Sequence, residues 1–103
     1  MGDYKYTKEV YVSVELARKM TAKGFDPYED GNVYVPTQTN AMAWIRDKFN
    51  IHIIVDYTGQ IALYSWWLKD MKSGDELPYN GLGVEYENAV DNAIEFVLDN
   101  LAE

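Results

Sequence analysis

The chain has no cysteine. That removes disulfides, thiol nucleophiles and thiolate metal sites together, and it fits a reducing compartment. It has one histidine, His52. Zinc would therefore need carboxylate ligands, an unusual donor set. Nowhere do about 18 apolar residues run together, so no span across a membrane is expected. The opening MGDYKYTKEVYV has no apolar run behind its lysines, and no signal peptide is read there. Basic residues stop at Lys72. From Asp75 to Glu103 there are eight acids and no base, and the second half of the chain, residues 53–103, carries the net charge of −8. Such an end repels phosphate backbones and favours basic partners.

With 103 residues the chain is expected to form one domain with a modest core, 1–103, preceded by a flexible segment over residues 1–9. VSVELARKMTAKGF reads as a helix over 13–23. Ser13 caps it, Glu15 suits its first turn and Gly24 supplies a left-handed stop. Leu16, Ala17 and Met20 make its buried stripe. PTQTNAMAWIRDKFN gives a second helix over 38–49, with Thr37 as cap and Asn50 as the left-handed stop. Ala41, Trp44, Ile45 and Phe49 form its apolar face. Val33–Val35, after the Asp30-Gly31 turn signal and before Pro36, reads as a short third strand. YENAVDNAIEFVLDNLAE is a third helix over 86–102 with a broad apolar face.

Between them lies IHIIVDYTGQIALYSWWLKD, a β-hairpin over 51–69 with a turn at Gly59-Gln60. Pairing Thr58 with Ile61 places Ile51, Ile53, Val55 and Tyr57 opposite Leu68, Trp66, Tyr64 and Ala62 on an all-apolar face. The other face mixes His52, Ile54, Asp56 and Thr58 with Ile61, Leu63, Ser65 and Trp67. A shift of the turn that moves the pairing by two leaves these faces unchanged. The fold class is therefore α+β: an antiparallel sheet built on this hairpin, joined by 33–35 and packed against three helices. Ile53, Val55, Tyr64 and Trp66, with Trp44 and Leu98, are its expected core. MKSGDELPYNGLG, rich in glycine with an Asn80-Gly81 signal, reads as a connection.

YVSVELARKMTAKGF, PTQTNAMAWIRDKFNIHI and EYENAVDNAIEFVL together resemble, over nearly the whole chain, a family of small proteins encoded by phages and prophages of gut Bacteroidetes. Pro36-Thr37-Gln38, Trp44, Arg46 and Asn50-Ile51-His52 carry the resemblance most specifically. It implies a source and a shared fold, with no activity attached. The chain departs from the pattern at Glu85, where threonine is expected before the last helix.

The chemistry-bearing motifs are thin. His52 sits on the mixed face of the hairpin, and Ser13 and Ser65 have no base in the pattern, so a nucleophilic triad has no support. NGLGVEY lacks the Lys-Ser/Thr of a phosphate loop. DPYEDG lacks the alternating ligands of a calcium loop. No enzyme, metal or cofactor is expected.

Two features point to partners instead. Trp67, with Leu63, Ile54 and Ile61, forms a surface too apolar for water and too polar for a dry core, the mixture found where proteins touch. The N-terminal tyrosines Tyr4, Tyr6 and Tyr11, a second copy or another protein could cover it. Glu87, Asp91, Glu95 and Asp99, at successive i+4 steps, wind slowly round the last helix. Such a stripe suits solvent, a basic partner, or an internal match to Arg18, Lys19, Lys23, Arg46 or Lys48. The expected function is a non-enzymatic protein–protein interaction module of a phage or prophage, acting in the host cytoplasm. The competing reading is a winged helix-turn-helix DNA binder. Against it stand the 13 residues from Gly24 to Pro36, where that motif uses about three or four, and a hairpin tip with no basic residue.

Overall fold

The computed structural model describes residues 10–29, 32–33, 35–59 and 63–102. Helix α1 (Val14–Ala22) starts where the Ser13 hydroxyl accepts the Leu16 amide at 3.1 Å, and it buries Leu16 and Met20. A two-stranded ribbon follows, β1 (Tyr28–Glu29) with β2 (Asn32–Val33). Helix α2 (Gln38–Phe49) is capped by Thr37, whose hydroxyl accepts the Asn40 amide at 3.1 Å. It ends on Asn50 at φ 59° and ψ 36°, the left-handed conformation that asparagine tolerates among non-glycine residues. That stop turns the chain directly into β3 (Ile51–Tyr57).

Strands β3, β4 (Tyr64–Asp70) and β5 (Glu76–Gly83) form an antiparallel sheet in that order, and α3 (Tyr86–Asn100) packs across it. The fold is α+β. The hairpin faces are those the alternation predicts, but the pairing is displaced by two residues. Ile53 faces Leu68, Val55 faces Trp66 and Tyr57 faces Tyr64. Thr58 donates to the Leu63 carbonyl at 2.9 Å, so a longer loop replaces the two-residue turn.

The third strand differs from expectation. The third strand of the sheet is not 33–35. Among the described residues, which leave out Tyr34, 32–33 pair only with 28–29, and Val35 lies outside any strand, packed against the core. The third strand is β5, in the stretch read as a connection. Its turn-forming residues serve the sheet: Gly81 lies opposite Trp66, and a side chain there would strike the indole. Gly83 lies against the backbone of Asn88 and Ala89 and lets α3 approach closely.

The core sits between this sheet face and the helices. Ile53, Trp66 and Leu98 are buried, with Val90, Ala93, Ile94 and Val97 of α3 fully so. Each buried valine, leucine or isoleucine side chain contributes roughly 1.5–3 kcal/mol when removed from water. Val55, Tyr64 and Trp44 are only partly buried, at the margin of the core. Trp44 instead anchors an aromatic cluster, with edge contacts to Phe25 (5.5 Å) and Phe49 (5.4 Å). Glu85, at the start of α3, donates its amide to Asn88 Oδ1 at 3.1 Å, so the asparagine supplies a cap where threonine is missing.

Candidate interaction surfaces

The sheet has two unlike faces. Phe96 of α3 lies against Trp66 and Tyr79, with ring centroids 5.5 and 5.0 Å apart, which fixes the helix-covered side. Strand alternation sends His52, Ile54, Ser65, Trp67, Asn80 and Leu82 to the other side. There Ile54 is directly opposite Trp67, and Leu82 is opposite Ser65, one diagonal step from the indole. Ile54, Leu63 and Trp67 are half-buried and Leu82 is 54% exposed. Among the described residues, no helix shows a ring contact to this face. Ile61, Tyr4 and Tyr6, assigned to it or to its cover from the sequence, lie outside the described residues. Tyr11 is exposed and bridges to Thr37 at the start of α2.

Trp67 thus answers to the alternation of the hairpin. Leu82 is not legible in the sequence as a member of this face, because it stands between Gly81 and Gly83 in a segment that looks like a turn. Only the knowledge that this segment is a strand places it beside Trp67.

The acidic stripe of α3 is engaged largely within the chain. Lys19 Nζ lies 3.0 Å from both carboxylate oxygens of Asp99 and 3.2 Å from Glu95 Oε2. Hydrogen bonds to Asp99 first, then to Glu95, hold the Lys19 ammonium above its usual range. Asp91 accepts from Gln38 Nε2 at 2.8 Å, and the same nitrogen donates to the Glu87 carbonyl at 2.9 Å. Gln38 is 4% exposed, so this pair of bonds pins the start of α2 to α3. Burial pushes the Asp91 carboxyl upward, the Gln38 bond opposes that, and the charge of Glu95 adds to it. Lys23 donates to the Ala102 carbonyl at 3.1 Å, just beyond the end of α3, where a cation complements the negative end of the helix dipole. Of the four acids only Glu87 stands in solvent without a side-chain partner among the described residues.

Between α1 and α2 stands the β1–β2 ribbon rather than a tight turn. Among the described residues no three His, Asp or Glu side chains converge as metal ligands, and no helix is long and apolar enough to cross a membrane. No protein-family model, curated protein or solved structure matches the chain.

Proposed function

We propose that this chain is a non-enzymatic protein–protein interaction module, an accessory protein of the phage or prophage kind its sequence resembles, acting in the host cytoplasm. One observation carries the reading: Ile54, Trp67 and Leu82 form an apolar patch on the sheet face opposite α3, bordered by His52, Ser65 and Asn80. An aromatic anchor within a polar rim is the composition of contact surfaces, and tryptophan there carries binding energy out of proportion to its area. The partner is a protein, and the net charge of −8 favours a basic one.

The test compares affinity capture from a host lysate by the wild type and by Trp67→Ser/Leu82→Ser, with both proteins first shown to melt cooperatively. The reading requires a protein that the wild type retains and the folded variant loses. An identical set captured by both would overturn it. Duplex DNA serves as the control ligand: sub-micromolar, sequence-dependent binding in an anisotropy titration would replace this reading with the DNA-binding one.

A further inference from the structure

The two edges of the sheet differ in a way that matters for association. Asn50 accepts from the Met71 amide at 2.8 Å, and Thr58 donates to Leu63 at 2.9 Å. In an antiparallel pair this sets the alternation: even-numbered residues of β3 turn their amides and carbonyls to β4, and odd-numbered ones turn theirs outward. The Tyr57 amide folds back onto Asp56 Oδ1 at 2.8 Å. At the middle of the strand the backbones of Ile53 and Val55 present two donors and two acceptors that meet no hydrogen-bond partner among the described residues.

The other edge is blunted. Pro78 has no amide to offer, the register slips between Trp67 and Lys69, and the Leu82 carbonyl accepts from Asn92 Nδ2 at 3.1 Å. Proteins suppress unwanted edge pairing with such devices. On β3 there is no proline, no lysine and no bulge.

Beside the free edge runs a groove of about 350 Å³, walled on one side by Ile53 and Val55 and on the other by Met42 and Ala43 of α2. Its basic lining residues are Arg46 and His52, and among the described residues no acid lines it. Because α2 enters β3 through Asn50, Arg46 lies one turn before that stop, at the His52 end of the groove. Asp56 lies at the opposite end of the same strand.

We propose that a second copy of this chain occupies the edge, its β3 antiparallel to the first, joining two three-stranded sheets into one of six strands. The outward groups belong to odd residues, so odd residues must face odd residues. Of the registers this allows, the one centred on Ile54 sets Ile53 against Val55 of the second copy and His52 against Asp56 of the second copy. Each carboxylate then arrives at the end of the groove that holds Arg46 and His52, twice by the two-fold symmetry. Neighbouring registers place His52 or Asp56 opposite Ile54 and lose that match. The proposal rests on the reading of the chain as an interaction module, but uses the strand edge rather than the Trp67 patch.

The test is sedimentation of the full chain over a wide concentration range, with two charge variants. In Asp56→Arg, cations meet Arg46 and His52 at both ends. In Arg46→Glu/His52→Asp, acids meet Asp56 at both ends. Each alone should self-associate roughly tenfold or more weakly than the wild type, and an equal mixture of the two should recover wild-type dimerisation. Circular dichroism and melting establish that both variants are folded; a variant that fails this is replaced by Asp56→Asn or His52→Gln, for which a smaller weakening is required. Hydrogen exchange provides a second readout: the Ile53 and Val55 amides should slow with rising concentration, whereas the Ile54 amide is already protected. A wild type that is monomeric throughout overturns edge pairing and leaves capture through Trp67 standing. So does a dimer indifferent to both variants, with Ile53 and Val55 still exchanging fast.

Discussion

Gly81 lies directly opposite Trp66, and a Cβ on that glycine would stand 2.5 Å from the indole Nε1 and 2.7 Å from Cε2. The glycine makes the space into which the central tryptophan of the core is laid. Gly81→Ala should therefore lower stability by about 1–3 kcal/mol through overpacking. Gly83→Ala should cost more, because the atoms in its way are the backbone of Asn88 and Ala89 and cannot rotate aside. Urea melts of the two variants check the order. A loss for Gly83→Ala smaller than that for Gly81→Ala would contradict the packing described.

Truncating Trp66 itself, 4% exposed, should remove about 3–5 kcal/mol, most of what a domain of this size possesses. Trp67→Ala, on the opposite face, should leave the melt of the monomer nearly unchanged. Thermal denaturation at low protein concentration compares the two. Equal losses would mean that both faces of the hairpin are buried.

Asp91 gives a pH dependence of unusual sign for a carboxylate. Its folded titration lies above the ordinary 3.8, so folding favours the protonated form. The stability it contributes is fully present below pH 3.8 and is lost as pH rises through the raised folded value. Asp91→Asn keeps an oxygen for Gln38 and removes the buried charge. It should melt at least as high as the wild type at neutral pH, with the two curves drawing together in acid. A variant clearly less stable at neutral pH would show that the charge of Asp91 strengthens the Gln38 bond more than burial penalises it.

Lys19 behaves in the ordinary way. Its raised titration means that the link from α1 to α3 is fully present below the ordinary 10.5 and is lost as pH rises through the folded value. Lys19→Met should lower the melting temperature slightly in dilute buffer. The difference should disappear near 1 M salt, where the screening length is about 3 Å. A deficit that persists in high salt would assign the effect to packing of the lysine stem.

The sequence shows most clearly what is local. Thr37 and Asn50 bound α2 because a side-chain cap and a left-handed stop are properties of single residues. The two hairpin faces follow from alternation, which is indifferent to a slip of two residues; the register therefore escaped while Trp66 and Trp67 fell on the correct sides. β5 was hidden for the opposite reason. Asn80, Gly81 and Pro78 have turn chemistry by themselves, and only the indole across the sheet and the helix above it make glycine the required residue. The same holds for the acidic stripe. Its i+4 spacing is visible in the chain, but that Lys19 and Gln38 take up three of its carboxylates is decided by how α1 and α2 dock.

Helix α3 touches all three strands of the sheet and both other helices, and it supplies Ala89, Val90, Ala93, Ile94, Val97 and Leu98 to the core. Until it has been synthesised, the apolar side of the hairpin has nothing to close against. Lys19 finds Asp99 across 80 positions of chain, so the loops that must close are long and their entropy is lost before the contacts repay it. A nascent chain that has left the ribosome only as far as β5 should be open to proteases and chaperones, and folding should wait for the final helix and then proceed in a single step.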